Sequence, residues 1–129
     1  MIDVLEDAGY VASRDGERVG LLTWRPDGPD RVELSALLAI VPRAGVGTAL
    51  VQALLDRAVP SGSREIRVTT TNDNLAALAF YQRLGFRLVA LRPGAVDVAR
   101  RTIKPSIPEF GADGLPLRDE LELGLALGA

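Results

Sequence analysis

Residues 41–58 read VPRAGVGTALVQALLDRA: the apolar end of a strand, a tight glycine-containing turn, and then a helix. If the helix starts near Gly45, several backbone N–H groups without intrahelical partners face outward at the turn, together with the positive end of the helix dipole. That arrangement suits an anion such as a pyrophosphate. Gly45-Val46-Gly47 by itself is equally consistent with a structural turn, because glycines also end strands and let helices pack closely.

On either side of this stretch the pattern is regular. Residues 32–41, VELSALLAIV, form a long and almost wholly apolar run with Glu33 as its one carboxylate, as for a central strand covered on both faces. In the helix, Val46, Leu50 and Leu54 fall on one stripe with Ala49 and Ala53 beside them, and Pro60-Ser61-Gly62 ends it. Residues 65–71, EIRVTTT, then alternate in a β-branched run. Strand, helix and strand in succession predict a βαβ unit with a right-handed crossover and parallel strands.

Further out, residues 9–14 and 18–24 are two short runs rich in Val, Leu, Tyr and Trp around Asp15-Gly16-Glu17, which predicts a β-hairpin. A second helix is expected from a cap at Asn72 or Asp73 through Leu75, Leu78 and Tyr81 to Leu84. Gly85 suits the left-handed position that closes it, with Phe86 folding back. Residues 87–91 read as a strand, and residues 120–127, ELELGLAL, as a final one. Between them, Pro93, Gly94, Pro105, Pro108, Gly111, Gly114 and Pro116 punctuate a stretch with room for a short helix over residues 95–101 and otherwise a long loop.

Composition narrows the chemistry. The 129 residues suit one domain, and 47% hydrophobic with 25% charged residues describes an ordinary globular chain. A net charge of −2 gives no electrostatic reason to expect a nucleic-acid partner. Without cysteine or histidine, thiolate and imidazole catalysis are excluded, a metal site would need carboxylates only and none is expected, and any acid or base must be Asp, Glu, Tyr or Lys. The opening MIDVLEDAGYV is acidic where a secretory signal is basic, and no apolar run reaches membrane-spanning length. A cytoplasmic location and no membrane partner are the expectation.

Residues 74–86, NLAALAFYQRLGF, follow the pattern Asn-x-x-Ala-x-x-Phe-Tyr-x-x-x-Gly-Phe. With the upstream Gly45-Val46-Gly47 helix, this resembles the GNAT superfamily of acyl-CoA-dependent N-acyltransferases, and the likeness covers residues 9–91 and the final strand. The loop Lys104-Pro-Ser-Ile-Pro and residues 114–123, GLPLRDELEL, look like a bacterial subgroup whose acceptor is generally not established. The resemblance implies an α/β fold with a mixed, mostly antiparallel sheet and flanking helices, in one domain over residues 1–129. It also implies a chain that lacks the family's usual first strand and first two helices, with residues 2–8 as a remnant of the second helix. Such a chain either uses a partner subunit to cover the acceptor side or is a shortened relative, active or not. A further departure is in the phosphate turn, usually Gln/Arg-x-x-Gly-x-Gly/Ala, where Pro42 holds the first place and Arg43 follows it.

Residue by residue, the resemblance implies a pyrophosphate cradle from Arg43, Ala44, Gly45, Val46, Gly47 and Thr48. Further acyl-CoA contacts are implied at Leu38, Ala39, Ile40, Asn74, Ala77 and Tyr81, with a backbone N–H near Leu38 stabilising the oxyanion. Tyr81 stands where family members often carry the tyrosine that protonates the departing thiolate, and is alternatively a core aromatic. Asn74 is a cofactor contact, a helix cap, or both. Glu33 is the general-base candidate, working through a water on the protonated amine, against the alternative of an exposed strand start. Trp24, Arg25, Arg101, Lys104, Asp119 and Glu122 are weaker candidates for an acceptor pocket. The expected function is transfer of an acetyl or other short acyl group from acetyl-CoA or another acyl-CoA to a small-molecule or protein amine. The alternatives are a non-catalytic acyl-CoA-binding or regulatory subunit and a structural dimerisation module. An open strand edge and sheet face predict a homodimer.

Overall fold

The computed structural model describes residues 1–5, 9–40 and 45–128. Seven strands and three α-helices make up the described residues, in a mixed, mostly antiparallel α/β fold with strand order β1-β2-β3-β4-β5-β7-β6. Two compact units divide the chain, one of Met1–Arg67 with Ala126–Ala129 and one of Val68–Leu125.

In the first unit, β1 (Ile2–Leu5), β2 (Gly9–Arg14), β3 (Glu17–Pro26) and β4 (Arg31–Ala39) form an antiparallel meander. The hairpin between β2 and β3 turns on Asp15 and Gly16, both at positive φ (52° and 81°), the two-residue geometry whose twist matches that of the strands. Residues 2–5, expected as the remnant of a helix, are instead a strand. Their partner across β2 decides this, since four residues carry no periodicity of their own. Helix α1 (Val46–Ala58) packs on one face of the meander, and β5 (Glu65–Thr71) follows it. Val46, Leu50, Val51, Leu54 and Ala58 of the helix are buried with Tyr10, Ala12, Leu22, Val32 and Leu34 of the sheet. Each fully buried leucine contributes roughly 1.5–3 kcal/mol of transfer free energy. Of the expected stripe, Ala49 is exposed and Val51 takes its place.

The apolar run of β4 is not covered on both faces. Leu37 lies opposite Leu22, on the side of α1, whereas Leu38 lies opposite Leu21, and Leu21 opposite Val11, on the other side. Within this unit α1 is the one helix, so the second face has none, and Leu38 is 57% exposed. The seat of α1 is set by Gly20 on β3. A Cβ built there would lie 2.5 Å from Val46 Cγ1 and 3.0 Å from Leu50 Cδ1, closer than side chains tolerate.

In the second unit, α2 (Leu75–Arg83) ends as expected: Gly85 takes φ 102°, its N–H donates to the Gln82 carbonyl, and the Phe86 N–H donates back to the Tyr81 carbonyl. This pair of bonds is the Schellman closure, and Phe86 is buried behind it. The helix cap is Asn74, one or two positions later than expected, because Asn72 and Asp73 are engaged elsewhere. Strand β6 (Arg87–Arg92) pairs antiparallel with β7 (Glu120–Ala126), with Val89 as an extra residue that bulges the ladder.

Between them α3 (Ala95–Thr102) is followed by an irregular segment that is bound at many points. Arg100 donates to the carbonyls of Ile107, Pro108 and Leu117 and to Asp97. The Asn72 side chain donates to the Pro116 carbonyl and accepts from the N–H groups of Arg118 and Asp119. Asp73 accepts from the Thr71 hydroxyl and the Ala112 N–H, in a space left open by Gly111. Burial by itself would raise the Asp73 pKa, and these hydrogen bonds outweigh it, holding the carboxyl below its usual range.

Two predictions follow from this packing. Gly20→Ala is expected to lower the unfolding free energy by about 1–3 kcal/mol in urea titration, the usual cost of overfilling a close contact; an unchanged midpoint would show that α1 does not rest on Gly20. Because the folded Asp73 pKa is depressed, its stabilisation is present above the ordinary carboxylate pKa of ~3.9 and is lost as pH falls below it. The stability gap between the parent and Asp73→Asn should therefore be widest near neutral pH and close in acid, and a gap independent of pH would refute the assignment.

Candidate active site

In the first unit the predicted cofactor residues fall on the end of β4 and the start of α1. Gly45 caps the helix in the left-handed conformation, φ 76°, with no side-chain hydrogen bond. There is no acidic residue in the first turn, and nothing stands within 4 Å of the place a Gly45 Cβ would take. The N–H groups of Val46, Gly47 and Thr48 are thus the helix's first orphan donors, and Gly45 and Thr48 lie at the surface. Leu38, Ala39 and Ile40 are exposed at the strand end just before them, and the Ile40 N–H is tied to the Val19 carbonyl at 2.9 Å. Arg43 and Ala44, the first two members of the expected cradle, lie outside the described residues.

Glu33 is held by Arg25, its cross-strand partner. Arg25 Nε donates to Oε2 and Nη2 to Oε1, both at 3.0 Å, in a two-point grip that fits the planar guanidinium. Arg25, expected as an acceptor-pocket residue, instead occupies Glu33. Each carboxylate oxygen keeps a second lone pair for a water, so the pairing leaves room for the relay role. The pairing depends on a bulge that the sequence did not reveal. Thr23 stands opposite Ala36 and Trp24 opposite Leu34, leaving Ser35 as the extra residue, its hydroxyl 2.9 Å from that of Thr23. The one available signal was a lone serine within an apolar run.

In the second unit Asn74, Ala77 and Tyr81 follow one another on one stripe of α2. Asn74 Oδ1 accepts the Ala77 N–H at 3.1 Å, so the cap is real, and its amide nitrogen is left for another partner. Tyr81 is 6% exposed, with Phe80 edge-on at 5.2 Å between ring centres and Phe86 tilted at 5.3 Å. Burial pushes its pKa up to about 12. The weaker acceptor candidates are placed one by one: Asp119 accepts from the Gly94 N–H, Glu122 pairs with Arg92, Trp24 lies under Arg57, and Arg101 and Lys104 are exposed. Among the described residues no group of carboxylates could hold a metal, and no helix is long and apolar enough to cross a membrane.

The model of the acetyltransferase (GNAT) family matches residues 2–86. The uncharacterized protein YdhI of Bacillus subtilis is 40% identical over 114 residues, covering 88% of this chain and 70% of its own length. L-2,4-diaminobutyric acid acetyltransferase of Nocardia farcinica is 40% identical over 90 residues, 66% of this chain and 44% of its own. A crystal structure of a Bacillus subtilis acetyltransferase in complex with CoA shares the fold, with a TM-score of 0.80 at 24% identity over 93% of this chain and 76% of that one.

The Tyr81 pKa has a measurable consequence. A folded pKa near 12 against about 10 in the unfolded chain means that the folded state keeps a proton the unfolded state loses. The stabilisation is complete below pH 10 and is lost as pH rises. Stability of the parent relative to Tyr81→Phe should fall by up to about 1.4 kcal/mol per pH unit between pH 10 and 12, and parallel stability curves over that range would contradict the burial.

Proposed function

The chain belongs to the acetyltransferase (GNAT) family, and we propose that it moves an acetyl or other short acyl group from acyl-CoA to a primary amine. The observation that carries the cofactor assignment is the open start of α1. A helix of 13 residues presents roughly half a positive charge at its N-terminus, and here that end has no side-chain cap and no acidic first turn to satisfy it. The residues therefore fit a phosphate-bearing cofactor, with Gly45, Val46, Gly47 and Thr48 as its donors; Arg43 and Ala44, expected from the sequence to join them, lie outside the described residues. Exposed Leu38 and Ile40 offer apolar surface to the cofactor's alkyl arm. Bound acyl-CoA supplies a thioester carbonyl open to attack by an amine.

The roles of the remaining residues follow from their chemistry. Glu33 takes a proton from the amine through a water on the lone pairs that Arg25 leaves open. Tyr81 keeps its proton throughout the physiological range. A thiol ionises near 8.5, far below this phenol, so full transfer to a thiolate is uphill and Tyr81 acts by donating a hydrogen bond to the developing charge on sulfur. The name of the Nocardia relative, a diaminobutyric acid acetyltransferase, supports an amine as acceptor, on a small molecule or a protein. The same reading takes the enzyme as cytoplasmic and homodimeric, with no nucleic-acid or membrane partner.

Thr48→Glu tests the assignment without harming the fold, since a carboxylate in the first turn favours the helix by about 0.3–1 kcal/mol while opposing a phosphate. Acetyl-CoA at a hundred times its Kd should stabilise the parent by about 2.7 kcal/mol, seen as a rise of several degrees in Tm. The variant, at least as stable alone, should need at least tenfold more ligand for the same rise. An equal shift in both proteins would remove α1 from the cofactor site, and no thiol release with any amine of a panel would leave binding without transfer.

A further inference from the structure

We propose a second ligand site on this chain, a pocket for a small monocarboxylate with an apolar body, at the end of α1 opposite the one assigned to the cofactor. The helix has 13 residues, so its two ends stand about 20 Å apart at 1.5 Å per residue. At the last turn a cavity of about 180 Å³ opens between the helix and the start of β4, with Trp24, Pro26, Pro29 and Leu54 as apolar walls and Arg57 and Ser63 as polar ones. At about 30 Å³ per water this holds roughly six waters, enough for a ligand of benzoate's size.

The charge in this cavity is unbalanced. The Arg57 guanidinium lies over the Trp24 ring, its Cζ 4.7 Å from the ring centre. The contact leaves the guanidinium N–H donors without a side-chain partner among the described residues, and a guanidinium can meet a carboxylate at two points. Among the described residues no carboxylate lies within ion-pair reach of Arg57. Arg31, which also lines the cavity, is by contrast held by Asp27 at 3.2 Å and Glu65 at 4.0 Å.

Two of the carbonyls that would oppose an anion at this helix C-terminus are already occupied. The Leu55 carbonyl accepts from the Val59 N–H, and the Ala58 carbonyl accepts from the Ser63 N–H and the Ser61 hydroxyl. With the Ser61 hydroxyl so committed, that of Ser63 remains as the second donor. One cation with a free edge, one hydroxyl, and walls of indole, proline and leucine define the ligand: a single carboxylate joined to a compact apolar body, bound without covalent change.

Trp24 is the chain's one tryptophan, so its emission reports this pocket alone. Benzoate titrated into the full chain at constant ionic strength should give a saturable change in Trp24 emission in the millimolar range or below. Benzamide, the same shape without the charge, should bind at least tenfold more weakly, and so should benzoate to Arg57→Gln. Ser63→Ala, a smaller change, should weaken benzoate severalfold and serves if Arg57→Gln alters the folded circular-dichroism spectrum. Equal binding of benzamide, undiminished binding to the variants, or no saturation at several millimolar would overturn the proposal. Acetyl-CoA stabilisation of the same Arg57→Gln protein is expected to be unchanged, so failure here and failure of the acyltransferase reading are told apart.

Discussion

How near α1 approaches β3 is set by the missing side chain at Gly20, and the place where the helix begins follows from that distance. Val46 and Leu50 rest where a Cβ would stand, which brings the first turn of the helix down onto the sheet directly after the exposed end of β4. A helix N-terminus binds anions only if its amides are held still and left open. The buried stripe below Gly45 does the first, and the glycine cap, with neither side chain nor acid beside it, does the second. The site chemistry of the first unit is thus a consequence of packing one turn away from it.

Where the sequence was legible, the signal was local. Alternation at residues 65–71, the helical stripe of α1, the Asp15-Gly16 turn and the Gly85 stop each depend on neighbours within a few residues, and each appears in the structure where its chemistry put it. The run Asn72-Asp73-Asn74 shows why local signals then fail. All three residues are able to cap a helix, and propensity cannot choose between them. The choice is made by partners over thirty residues away: Asn72 is taken by the segment around Pro116 and Asp73 by Ala112, leaving Asn74 for the cap.

The candidate site divides in the same way. The open turn at Gly45 and the stripe Asn74, Ala77 and Tyr81 were readable because helix periodicity and glycine conformation are properties of short stretches. The grip of Arg25 on Glu33 was not, since it depends on register across β3 and β4, and the Ser35 bulge shifts that register by one residue. One extra residue in a strand exchanges every side-chain partner beyond it, and nothing in an apolar run announces where it will fall.

The same device has another effect at the far end of the strand order. Strand β6 is last in that order, and Leu88, Val89 and Leu91 on it are exposed, a combination that invites stacking of one molecule's edge on another's. The bulge at Val89 breaks the straight run of backbone groups a foreign strand would have to follow, and Arg87 and Arg92 close it at either end with charge. The apolar strand at the margin is thereby interrupted, by one bulge and two flanking cations, as a template for a foreign strand.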